Sequence, residues 1–235
     1  MATTAPDHLH LTLYYFNIHG LGARIRLAAR LGGIKMADVR FSDREEFAAM
    51  RAAGLLPFGQ VPLLVVRPPA SEGSAAPPPV SLAQSGAILR YVCTLGGLQP
   101  SDPLQGAVVD SAVAAESDAF AAYRAVKYRG RMALEHLSDD DVATAFKELN
   151  TAILPRHLQQ LETLLKSSPT GWVAGTPGPS AADLAWGTSL RDLAHGTMAH
   201  LECELASEAV TPAISAWLHK FLALPEVAAY YAEFP

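Results

Sequence analysis

A small α/β domain over residues 9–95 followed by an all-α domain over 104–235 is the architecture this sequence predicts. Three observations predict it. Short strand-like apolar runs alternate with helical stretches as far as residue 84, and only helical spacing follows. The break between the two rhythms, "LGGLQPSDP" at 95–103, is rich in Gly and Pro. The 235 residues, 50% hydrophobic, are enough to build a core for both parts.

The elements can be justified in order. Residues 10–16 alternate as a strand, and "GARIRLAARLG" (22–32) is a helix with Ile25, Leu27, Ala28 and Leu31 mostly on one side. "MADVRF" (36–41) is a second strand, "DREEFAAMRAAG" (43–54) a helix closed by Gly54, and "VPLLVV" (61–66) a continuous apolar strand. "VSLAQ" adds a short strand, and "SGAILRYVCTLGG" a helix N-capped by Ser85 and ended by Gly96 or Gly97. The order is βαβαββα. Between its third and fourth strands "RPPASEGSAAPPP" (67–79) buries too little surface to order itself and reads as a mobile excursion joining neighbouring strands.

From Leu104 onward Val109, Val113, Phe120 and Tyr123 fall at helical spacing and predict one long helix. Val142, Phe146, Leu149 and Ile153 predict a second, kinked at Pro155 before Leu158, Leu161 and Leu165 resume the apolar face. In "GTPGPSAADLAW" a capping box, with Ser180 at the cap and Asp183 reaching back, starts a core helix. Helices around "PAISAWLHKFLAL" and "PEVAAYYAEF" finish the chain.

Charge and cysteines exclude several classes. With 18 basic and 23 acidic residues, a net charge of −5 and no block of Lys or Arg, there is no footprint for nucleic acid or an anionic membrane. Cys93 and Cys203, far apart and without CxxC, argue against a disulfide framework, a zinc site or a dithiol centre, and the histidines show no metal-ligand spacing. No leader or membrane-span pattern is present, so a cytoplasmic protein is expected.

Three stretches carry candidate chemistry. "LTLYYFN" (11–17) sets two phenols side by side, and strand alternation points Tyr14 and Tyr15 to opposite faces. In "LLPFGQVP" (55–62), Pro62 enters a strand where no ladder donor is needed, often with a cis bond. If Val61–Pro62 is cis, the Val61 backbone turns outward and can pair with an extended peptide; the alternative is a plain turn. "AQSG" (83–86) sets Gln84 and Ser85 at a helix start, where free amides and the helix dipole attract a carboxylate; the alternative is an ordinary serine cap. Together these suggest a site for a short peptide with a carboxylate, beside a strand end that presents a tyrosine.

The motifs "YFN" with Gly20 and the arginine of "YFNIHGLGARIR", "LPFGQVP", "AQSGAILRY", "SAADLAW" and "LPEVAAY" resemble, in order and spacing over nearly the whole chain, the cytosolic glutathione transferases, most of all their sigma-like class. The resemblance implies a thioredoxin-like N-terminal domain, an all-helical C-terminal domain, a homodimer, and glutathione as co-substrate with no further cofactor. It implies that Tyr15 is catalytic and Tyr14 packing. A tyrosine O–H donated to the glutathione sulfur stabilises the thiolate, each unit of thiol pKa being worth about 1.4 kcal/mol. From a free thiol near pKa ~8.5, a fall of roughly two units makes most of it nucleophilic. The thiolate then attacks a small hydrophobic electrophile or a peroxide.

The same resemblance sets Phe47 and Arg51 near the glycine carboxylate of glutathione, Gln60, Val61 and Pro62 along its cysteinyl-glycine part, and Gln84 and Ser85 on the γ-glutamyl carboxylate. Asp110 reaches the γ-glutamyl amine across the dimer. Without it, Phe47 is core and Arg51 and Asp110 are solvated. His19, Leu21, Tyr123 and Tyr128 are candidate walls of the hydrophobic pocket, Tyr123 being equally readable as core. One departure stands out: similar enzymes often carry an arginine after the glycine at position 20, and this chain has Leu21, leaving Arg24 or His19 to substitute. Two other readings stay open, a binding or structural protein of this fold without turnover and a glutathione-dependent isomerase.

Overall fold

Seven alternating residues make His10–Phe16 a strand, β1, whose Leu11, Leu13 and Tyr15 side chains are buried while Thr12 and Tyr14 lie half-buried between them. In the computed structural model, which describes residues 9–70, 75–201 and 212–234, β1 pairs in parallel with β2 (Met36–Phe41) and antiparallel with β3 (Leu63–Arg67). Strand β4 (Val80–Ala83) runs antiparallel to β3, with Leu63 opposite Ala83 and Val66 opposite Val80, so the order is β2-β1-β3-β4. The excursion at 67–79 therefore joins neighbouring strands as expected; its residues 71–74, like Cys203, lie outside the described residues.

Helix α1 (Gly20–Leu31) connects β1 to β2, α2 (Arg44–Ala52) connects β2 to β3, and α3 (Ser85–Leu95) follows β4. The two inner helices, α1 and α3, meet at their C-terminal ends, where a Cβ on Gly32 would come within 2.6 Å of the Gly96 Cα; only glycines permit that approach. The start of α2 is capped by Asp43, whose carboxylate accepts the Glu45 and Glu46 amides at 2.9 and 3.0 Å. One cap differs from the expectation: α3 begins at Ser85 itself, and its N-cap is Gln84, held at φ 70°, ψ 114° with no side-chain capping bond.

Beyond the sheet the chain is helical: α4 (Pro103–Ala119), α5 (Ala121–Lys127), a 3-10 turn at Arg129–Arg131, α6 (Asp139–Glu148), a π turn at Leu149–Ile153, α7 (Leu154–Ser167), α8 (Ala181–Ala194), α9 (Pro212–Leu222) and α10 (Pro225–Glu233). The single helix expected from Leu104 is broken at Phe120, whose ring packs on Trp186 and whose backbone leaves the helical range at φ −105°. The Arg124 guanidinium donates to the Ser117 carbonyl, one of those released at the break. The kink expected at Pro155 is the π turn before it: proline has no N–H for the carbonyl four residues back, and the widened turn takes up the mismatch.

The chain divides into two compact units, Ala107–Leu224 and Met1–Gly106 with Pro225–Pro235. The second thus includes α10, which packs on α1, although the sequence reading grouped that helix with its helical neighbours. Within Ala107–Leu224, the capping box of α8 forms as expected and does more than cap. Asp183 is fully buried and accepts four bonds: from the Ser180 amide and hydroxyl at 2.9 and 3.0 Å, the Val173 amide at 2.9 Å, and the Trp217 indole N–H at 3.0 Å. Burial pushes its carboxyl upward and these donors oppose the shift.

Truncating Asp183 strands two buried amides and an indole N–H. Asp183→Ala is expected to destabilise the protein by about 3 kcal/mol or more, and Asp183→Asn to recover only part, since an amide NH2 then faces N–H donors. Urea unfolding checks this as a lowered midpoint at unchanged slope.

Candidate active site

The turn between β1 and α1 is built around Tyr15. Its ring, 7% exposed, lies on the first turn of α1, where a Cβ on Gly22 would stand 2.5 Å from the Tyr15 Cδ1 and one on Gly20 2.9 Å from the hydroxyl. Gly20 also has φ +39°, which a larger residue rarely adopts. The Leu21 amide donates to the phenol oxygen at 3.2 Å, so the hydroxyl sits at the positive end of a 12-residue helix. Arg26 braces the turn from beneath: it is buried, donates to the Ile18 carbonyl at 2.7 Å and the Phe16 carbonyl at 3.3 Å, pairs with Asp38 at 3.1 Å, and holds its guanidinium carbon 5.7 Å from the Tyr15 ring centre.

Leu21 is shared between this turn and an adjacent cleft. The cleft is lined by Leu21, Phe58, Gln60, Val61, Pro62, Ala83, Gln84 and Ser85, so Leu21 and five of the eight residues expected on a bound glutathione converge there. The Val61–Pro62 bond is cis. Gln84, exposed and at positive φ, presents the first amides of the 11-residue α3, an arrangement suited to a carboxylate. Arg51, also exposed, lies along the same loop: a Cβ on Gly59 would be 3.4 Å from its Nε.

The other expected residues are set in surroundings of their own. Phe47 is half-buried, its ring 5.4 Å from that of Phe16 and 6.4 Å from that of Phe41, anchoring α2 to the sheet. His19 turns into the aromatic side chains of the C-terminal segment, Arg24 is buried in α1, and the Arg26 guanidinium lies over the Tyr15 ring. In the helical unit, Tyr123 is buried beside Phe146 and accepts a bond from Lys127 at 2.8 Å, the core reading of that residue. Tyr128 is exposed, with Lys127 and Arg131 over its ring, and Asp110 is half-buried on α4. Phe58, 66% exposed at the cleft, and Gly22 were assigned no role from the sequence; a glycine inside a helical pattern is the signal that marks a close approach, and Gly22 carries it. Among the described residues no group of three His, Cys, Asp or Glu is arranged to hold a metal, and no helix is long and apolar enough to cross a membrane.

Comparison with known proteins places the chain in a family. Residues 130–233 match the model of the glutathione S-transferase C-terminal domain. The chain is 32% identical to glutathione S-transferase 1 of Ascaris suum, over 88% of its own length and 94% of that protein's. It is 26% identical to the hematopoietic prostaglandin D synthase of Gallus gallus, over 95% and 96% of the two chains. A nematode-specific glutathione transferase of Caenorhabditis elegans superposes with a TM-score of 0.76 at 25% identity, over 97% and 98% of the chains. The chain belongs to the glutathione S-transferase family, transferases that use glutathione as co-substrate and need no other cofactor. Its fold is the thioredoxin-like domain plus helical domain of that family.

Because the Tyr15 ring occupies the space of a Gly22 side chain, Gly22→Ala is expected to displace it and to cost about 1–3 kcal/mol of stability, the usual penalty for overpacking. A crystal structure and the thermal midpoint of the variant check both parts.

Proposed function

We propose that this chain is a sigma-like glutathione transferase in which Tyr15 donates its hydroxyl proton in a hydrogen bond to the glutathione sulfur and stabilises the thiolate. The observation that carries the reading is the Tyr15 hydroxyl at the N-terminus of α1, accepting from Leu21, which also lines the cleft of Gln60, Val61, Pro62, Gln84 and Ser85. With a lone pair of the phenol oxygen engaged by an amide, its O–H is polarised and oriented to donate. The amide dipoles of α1 favour negative charge at the same place, the contribution an arginine at position 21 would otherwise make.

Glutathione lies extended along the cleft, its γ-glutamyl carboxylate at the start of α3 on Gln84 and Ser85, its cysteinyl part on the Val61 backbone beside Pro62, and its glycine end toward Gln60, Arg51 and Phe47. The thiolate attacks a small hydrophobic electrophile or a peroxide, in the manner of a detoxification enzyme of the cytoplasm. The protein acts as a homodimer, with Asp110 of one subunit serving the γ-glutamyl amine of the other. The prostaglandin D synthase relative favours a second reading, a glutathione-dependent isomerase using the same thiolate, and a panel of electrophiles, peroxides and isomerisable endoperoxides separates the two.

Tyr15→Phe is expected to raise the pKa of bound glutathione and to cut turnover severalfold or more, while Tyr14→Phe changes neither; equal effects overturn the assignment. Ultraviolet titration of the thiolate in each complex is the measurement. Leu21→Arg, by bringing a positive charge within about 4–6 Å of the sulfur, should lower the same pKa, and a thiol titration unchanged from wild type shows that the helix terminus already suffices.

A further inference from the structure

Catalysis as read above depends on the Leu21 amide staying on the phenol oxygen, and the turn that carries this amide is clasped by the last helix of the chain. His19 is the N-cap residue of α1, and its carbonyl accepts the Ala23 amide at 2.9 Å. Its ring is surrounded by three side chains of the C-terminal segment, with ring centres 4.6 Å away for Phe234, 5.1 Å for Tyr231 and 5.6 Å for Tyr230. The His19 Nδ1 lies 3.2 Å from the Tyr230 hydroxyl, a hydrogen bond from a side chain that is 1% exposed.

That hydroxyl does not hang on a loose helix. Arg30 binds Glu233 through two nitrogens, at 3.1 and 2.5 Å, and lies 5.3 Å over the Tyr230 ring. Arg40 lies 4.3 Å over Phe234 and shares Asp38 with Arg26. Arg26 in turn binds the Phe16 and Ile18 carbonyls. Residues 16–19 are thus fixed from one side by the Arg26 guanidinium and from the other by Tyr230. Packing alone could be met by phenylalanine at position 230. A fully buried hydroxyl is costly unless bonded, and here its partner is His19, the residue at the entry to α1.

We propose that Tyr230 is a positioning residue for Tyr15: through His19 it fixes the entry to α1, and so the Leu21 amide against the phenol oxygen. The proposal rests on the reading of Tyr15 as donor to the glutathione thiolate. The C-terminal helix thereby takes part in thiol activation without touching substrate, and a change that loosens it lowers kcat while leaving glutathione binding in the cleft.

The test compares Tyr230→Phe, Tyr15→Phe and the double variant in the full chain. Tyr230→Phe should lower kcat about tenfold, within the loss that a misplacement of 1 Å can cause, raise the pKa of bound glutathione, and leave KM for glutathione within about twofold. In the Tyr15→Phe background the same substitution should change neither thiol pKa nor kcat further, because the group it positions is gone. Should Tyr230→Phe fold poorly by circular dichroism, His19→Phe, which keeps the ring among its aromatic neighbours and removes the nitrogen, should give the same split. An unshifted thiol titration in a folded Tyr230→Phe, or a full additional loss in the Tyr15→Phe background, overturns the proposal. A Tyr15→Phe variant with unaltered thiol titration overturns the reading of Tyr15 itself, and the two failures are distinct.

Discussion

The seat of the Tyr15 ring on the first turn of α1 is the constraint on which the site depends. It requires glycine at positions 20 and 22, since a Cβ at either would occupy the space of the ring or its hydroxyl. It also requires β1 to end with Tyr15 on the buried face, which the alternation of Leu11, Leu13 and Tyr15 secures. Given both, the hydroxyl meets the Leu21 amide, and the cleft shared through Leu21 lies beside it.

Around that seat, Arg26 and Asp38 form a closely bonded cluster. Arg26 is taken out of water but spends its donors on two carbonyls and Asp38, and Asp38 is in turn held by Arg40 at 2.6 Å. Asp183 plays the equivalent part in the helical unit, where four donors surround one carboxylate and tie the start of α8 to α9 and to the loop before it. In each case the polar cluster specifies one arrangement of backbone, because any other leaves a buried charge or amide unmatched. Cys93 has no such company; it is a fully buried free thiol that burial pushes upward, away from the reactive thiolate form.

Much of this was legible in the residues. The four strands and the flanking helices follow from period-2 and period-3.6 patterns, β2 to the residue, and the capping box of α8 follows from serine and aspartate three apart. The meeting of "LPFGQVP" with "AQSG" in one cleft was readable because each motif carries its own backbone chemistry, a proline at a strand entry and free amides at a helix start. The resemblance of the motifs, taken together, pointed to the family that whole-chain identity to a glutathione S-transferase then established.

What the sequence determined by itself is local: which segments are strands and helices, that Tyr14 and Tyr15 face apart, and which short motifs present amides. Tertiary structure decided the rest, because contacts between residues far apart in the chain leave no period to read. It ended α4 at Phe120, where the ring packs on Trp186, and it put Gln84, not Ser85, at the cap of α3 in a conformation that propensity alone disfavours. It set the His19 ring against Tyr230, 211 residues later, and the Arg26 guanidinium over the Tyr15 ring. The His19–Tyr230 pairing is set by the packing of α10 on α1, and packing is a property of the folded chain that no window of sequence contains.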